Sequence, residues 1–180
     1  MTREILLPLL AAHVLEHGLA GLSLRPLAAA AGTSDRMLLY HFGTKQRLVA
    51  DLLEYLAARY ALALDEALPA GRATSRAECL ADVAAATRGE AFRPYLMLWW
   101  QIVAGAAQGE GTWRAAAGAI MGQLLGWLEA HLPEGDPNPA SAARHILTLI
   151  EGAQMLDAIG RADIADAALA AALAAMPRSL

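Results

Sequence analysis

A chain of 180 residues has room for one good core, or for a small domain joined to a medium one. Its hydrophobic fraction of 57% is carried mainly by alanine, with only 6% aromatic residues, so Ala-rich helices and an all-α fold are expected rather than strands. The formal charge of −4 conceals a division: residues 1–50 hold five basic against three acidic side chains, and the rest of the chain nine against fifteen, which points to a polyanionic partner at one end only.

The longest charge-free segment, Pro94 to Gly109, contains Pro, Gln and Gly, and falls short of the ~20 apolar residues a membrane span needs. No membrane partner is expected. The apolar run near the start is bracketed by Glu4 and Glu16 and reads as an amphipathic helix rather than a cleaved leader. Cys79 is the only cysteine, which excludes an intrachain disulfide and a cysteine-based zinc site and suits a reducing cytoplasm, the expected location.

In chain order, Leu7, Leu10, Ala11 and Val14 recur at the helical period and place a first helix over about Leu6 to Glu16, with Pro8 forcing a start or a bend near there. Gly18 ends it. Ser23 is suited to cap a second helix, with Pro26 in its first turn and Gly32 as its stop. Only Gly32 and Thr33 separate this from Ser34, which can cap a third helix running through Asp35 and Tyr40. Two short helices joined by so tight a turn cross steeply, as in a helix-turn-helix, and the small Ala28 and Ala29 allow it. Gly43 breaks the third helix, and Thr44 caps a fourth that continues past Tyr60.

The segment Gly18 to Leu52, above all LSLRPLAAAAGTSDRMLLYHFGTKQRL, resembles the DNA-binding region of the tetracycline-repressor (TetR) family without a gap. The leading Arg, the Ala-rich second helix, the Gly, the short third helix, the aromatic pair, the Phe and the Lys follow in the family's order. Asp35, Arg36, Met37, Leu39 and Tyr40 of the third helix are the side chains able to reach base edges or flanking phosphates, while Leu38 and Phe42 face inward. By the resemblance, Arg25, Tyr40, His41 and Lys45 take positions that touch the DNA backbone, and Thr33 and Ser34 offer hydroxyls to phosphate. The amino end of the fourth helix can receive a phosphate on its free N–H groups. Leu39 departs from the family, standing where the first aromatic of the pair is usual. Asp35 is unusual too, since a carboxylate repels phosphate unless it accepts from cytosine or holds Arg36.

The division expected is 1–47 for the helix-turn-helix reader and 48–180 for a helical body. Gly and Pro punctuation delimits body helices at roughly 45–67, 75–88, 91–107, 112–131, 140–159 and 162–175, making about nine with the reader's three. Aromatic and sulfur side chains concentrate in its middle, and all four tryptophans fall between 99 and 127. The resemblance implies a cavity for a small-molecule effector there, with Tyr60, Phe92, Tyr95, Met97, Trp99, Trp100, Trp113 and Met121 as lining and Gln101 as a polar handle. The final two helices carry regular Ile, Leu and Ala, and IEGAQMLDAIG resembles the family's dimerisation helix, so a homodimer through a four-helix bundle is implied. Dimerisation also follows from reading a palindromic double-stranded operator. The function expected is a ligand-responsive repressor released from DNA by its effector, with the fourth helix as the lever from Lys45 to Tyr60.

Two rivals have a sequence basis. His13, Glu16 and His17 match HxxEH, the pattern of a metal hydrolase with two zinc-binding histidines and a water-activating Glu. Gly18 ends the helix at once and Val14 lies on its apolar stripe, so no metal site is expected. A helical protein-binding adaptor would show no salt-sensitive duplex binding. No phosphate loop, nucleotide fingerprint or GxSxG elbow appears, and neither an enzymatic activity nor a cofactor is expected.

Overall fold

The computed structural model describes residues 2–176, so Met1 and the last four residues of the expected body lie outside it. The described residues form nine α-helices and one short 3₁₀ turn, with no strand: α1 Arg3–His17, α2 Leu24–Ala30, α3 Asp35–Phe42, α4 Lys45–Ala67, α5 Arg76–Thr87, the 3₁₀ turn Glu90–Phe92, α6 Arg93–Ala107, α7 Gly111–His131, α8 Pro139–Ala158 and α9 Ala162–Ala175. The all-α expectation holds. None of these helices is long and apolar enough to cross a membrane.

α1 begins three residues earlier than its apolar period suggests and carries Pro8 inside it. Pro8 is exposed, so the Glu4 carbonyl deprived of a helical donor can turn to solvent, and the helix survives the proline. Gly18 closes α1 at φ +78°, its N–H donating to the Val14 carbonyl. Ser23 sits at the amino-cap position of α2, but its side chain makes no capping bond. α5 has a true capping box that the sequence spells as S-R-A-E: Ser75 Oγ accepts from the Glu78 N–H at 3.1 Å, and the Glu78 carboxylate accepts from the Thr74 N–H and hydroxyl. Those bonds hold the Glu78 carboxyl below its usual range.

The chain divides into two compact units, Met1–Tyr60 with Ala91–Met121, and Ala61–Glu90 with Gly122–Leu180. In the first unit, α1 contributes Leu6, Leu10 and Val14, α2 Leu27, α3 Leu38 and Phe42, and α4 Leu48, Leu52 and Leu56 to one buried cluster. Leu98 and Ile102 of α6 complete it. Compactness therefore groups α6 with the helix-turn-helix, whereas the sequence division at residue 47 separates them.

The second unit is centred on Leu80 and Val83 of α5, Leu128 of α7, Ile146 and Ile150 of α8 and Leu169 of α9. α8 and α9 form a close hairpin turned at Gly160, where φ is +76°. Arg88 ties the hairpin to α5 by ion pairs to Asp157 at 2.7 Å and Asp166 at 2.8 Å. Before α8, Asp136 takes both Arg76 Nε at 2.7 Å and Nη2 at 2.6 Å, and also accepts from the Asn138 N–H. Cys79 is buried in the same core, and desolvation pushes its thiol up to about 11.

Candidate nucleic-acid interface

α3 is only eight residues long, too short to persist alone, and two side chains fix it. Leu38 is fully buried and Phe42 nearly so, with the Arg3 guanidinium 4.8 Å from the centre of the Phe42 ring. Every other position from Asp35 to Tyr40 is thereby turned outward. Tyr40 is 78% exposed, Met37 39% and Leu39 38%, and Asp35 and Arg36 are exposed as well. An apolar pair such as Met37 and Leu39 on an outward helix face suits thymine methyl groups better than water.

Asp35 has a local reason to be there. It lies in the first turn of α3, where the helix dipole favours an anion. Ser34 Oγ accepts from the Met37 N–H at 3.3 Å, and Thr44 Oγ1 from the Arg47 N–H at 3.0 Å. Each hydroxyl works as a cap through a lone pair and keeps its O–H to give to an acceptor such as phosphate.

The cations sort themselves. Arg3 and Arg47 both pair with Asp51. Arg25, Arg36 and Lys45 are exposed and have no ion pair among the described residues, so their charge is available to a polyanion. All three were singled out from the sequence. The pairing of Arg3 with Asp51 was not, since nothing local marks a contact across 48 positions. Thr33 is half-buried. His41 is half-buried too, edge-on to Tyr40, and its Nε2 is enclosed without a hydrogen-bond partner, so in this arrangement that nitrogen faces inward rather than toward a phosphate.

The aromatic residues expected around an effector are only partly gathered. Tyr60 stands edge-on to Phe92 at 5.4 Å and to Tyr95 at 5.5 Å. Tyr95 bonds Arg59 through its hydroxyl, and burial raises its pKa. Trp99 and Trp113 pack half-buried against the core of the first unit, and a Cβ at Gly105 would come within 2.5 Å of the Trp113 ring. Trp100 and Met121 are half-buried. Met97 is 56% exposed and points away, because it precedes Leu98 by one residue on a helix whose inner face is Leu98 and Ile102. Gln101 Oε1 accepts from the Leu19 N–H at 2.6 Å, so the proposed polar handle is bonded to the reader backbone. Trp127, part of the same aromatic run in sequence, lies in the second unit with its Nε1 donating to Asp65 at 2.7 Å.

His13 and His17 stack at 4.3 Å, and His17 Nδ1 lies 3.0 Å from the His13 carbonyl. Among the described residues no group of three or more His, Cys, Asp or Glu side chains is placed to hold a metal ion.

Residues 11–52, from within α1 to the second turn of α4, match the family model of bacterial regulatory proteins, tetR family. That segment, 42 of the 180 residues, is similar to the tetR family. Solved structures carry the fold likeness over the rest of the chain. E. coli NemR in its reduced form aligns at a TM-score of 0.73 and 22% identity, with 100% of each chain covered. A TetR transcription regulator from Haloarcula marismortui aligns at 0.61 and 19%, covering 94% of this chain and 93% of that one. The multidrug binding protein EbrR, in complex with proflavin, aligns at 0.65 and 22%, covering 94% and 96%. No curated protein matches the chain. The helix-turn-helix α2–α3 lies inside the matched segment.

Proposed function

We propose that this protein is a dimeric transcriptional repressor that reads a palindromic operator through α3 and is released by a flat, largely apolar effector. The observation that carries the reading is the outward face of α3: Arg36, Met37, Leu39 and Tyr40 exposed on a helix whose inner face is locked by Leu38 and Phe42. Arg25, Lys45 and the free N–H groups at the start of α4 supply phosphate contacts around it. Thr33, Ser34, Asp35 and His41 complete the proposed surface, His41 after a turn of its ring.

Dimerisation through α8 and α9 is supported by their exposed apolar side chains. Met155 is 50% exposed, Ile159 67% and Ile164 40%, and two copies related by a two-fold axis would cover them. The effector would be received around Tyr60, Phe92, Tyr95, Trp99 and Trp113, and the fold shared with the proflavin-bound EbrR suits an aromatic ligand. Release follows if that ligand binds the form with the wrong spacing of recognition helices better than the form with a spacing near ~34 Å.

Selection of bound DNA from a random duplex pool tests this. A palindromic consensus whose affinity falls steeply with salt is expected; recovery of no sequence at all would sink the repressor. With that duplex, Tyr40→Ala is expected to bind about 30-fold more weakly, from ~1 kcal/mol lost in each of two half-sites. Sedimentation should show its oligomeric state unchanged. Undiminished binding would mean that α3 docks with a different face.

A further inference from the structure

We infer that Gln101 is a positioning residue that couples the aromatic cluster of α6 and α7 to the reader, rather than a group that touches the effector. The inference rests on the repressor reading above and assigns the step between its two sites.

Gln101 Oε1 accepts from the Leu19 N–H at 2.6 Å, a bond that joins residues 82 positions apart. Leu19 is the first residue beyond the Gly18 cap of α1 and starts the turn that leads to α2, against which α3 packs. The approach of the two segments is close. A Cβ on Gly18 would lie 2.8 Å from Gln101 Nε2, and Gly18 has φ +78°, so glycine there serves both the backbone turn and the space that the amide needs. One helical turn further along α6, Gly105 makes the same kind of room for the Trp113 ring, with 2.5 Å to a Cβ placed there. Residues 101 and 105 stand i, i+4 on one face. That face of α6 therefore meets an aromatic ring at one turn and reader backbone at the next, both through contacts with no slack.

A bond of 2.6 Å ceases to be one once stretched to about 3.5 Å, so a shift of α6 by about 1 Å opens it. A ligand that wedges against Trp113 and moves α6 would free Leu19, and with it the turn that supports α2 and α3. The coupling is reciprocal: DNA on the reader must alter the surroundings of the tryptophans. No effector is needed to see it.

The test uses the full chain with Trp127→Phe, leaving Trp99, Trp100 and Trp113 to report, and the duplex recovered by pool selection. Saturating duplex is expected to change the tryptophan emission of this parent. Gln101→Leu, which keeps bulk and removes the acceptor, is expected to bind three- to tenfold more weakly and, when saturated, to show no emission change. Gln101→Glu restores the acceptor and should restore both. Gln101→Met, also free of a strong acceptor, carries the same expectation as the leucine variant should that one fail to fold. Emission change that survives in the acceptor-free variants, or is absent from the duplex-bound parent, overturns the coupling while leaving the repressor intact. A parent that binds no duplex removes both.

Discussion

Leu38→Ala is expected to lower stability by about 3 kcal/mol, within the range for burying a cavity where a leucine stood, and to drop Tm by on the order of 6–12 °C. Leu38 has no solvent exposure and is one of two buried side chains on an eight-residue helix. Neither intrinsic propensity nor length can hold α3 without it. Because the helix that loses its anchor is the one proposed to read DNA, duplex binding should fall more than tenfold even well below the new Tm. Thermal melting by circular dichroism and a duplex titration at low temperature check the two parts separately. A stable variant that still bound normally would mean that Phe42 and the α4 cap alone orient the reader.

Asp136→Ala is the second large effect, expected to cost about 2–4 kcal/mol. The Asp136 side chain is 1% exposed and meets two Arg76 nitrogens and one backbone N–H. Removing it strands a guanidinium that is itself only 29% exposed, which costs more than the pair is worth intact. The partial exposure of Arg76 keeps the figure below that of a fully enclosed pair. Arg76 holds the Asp136 carboxyl below its ordinary value, so the wild type keeps this contribution above the unfolded carboxyl pKa of ~3.9 and loses it as pH falls through the lower folded value. The stability gap between wild type and Asp136→Ala, measured by denaturant titration, should therefore be constant near neutrality and close below about pH 4. A gap unchanged by acid would assign the cost to the loop's shape rather than to the ion pair.

The reader was legible in the sequence because short-range chemistry sets it out: Ser34 and Thr44 as caps, Gly18, Gly32 and Gly43 as stops, and an apolar period that leaves Leu38 and Phe42 inside. α4 and α9 begin and end where the punctuation puts them. Contacts between distant segments were not legible. Nothing near Gln101 says that its amide reaches Leu19, and nothing in a Met- and Trp-rich run says that Met97 turns out while Tyr95 turns in, since that depends on which stripe of α6 packs inward. The boundary at residue 47 followed the motif and not the core. Leu98 and Ile102 look like ordinary body leucine and isoleucine until they are seen in one cluster with Leu10 and Leu52.

The burial of Cys79 has a practical side. With its thiol raised to about 11, only about one in ten thousand copies carries the thiolate at neutral pH, and the sulfur is enclosed besides. A cysteine introduced at an exposed position of α3 would therefore be the one that a maleimide dye finds. The natural cysteine could stay in place while two such labels, one on each copy in the proposed dimer, measured how far apart the two α3 helices stand with and without a candidate effector.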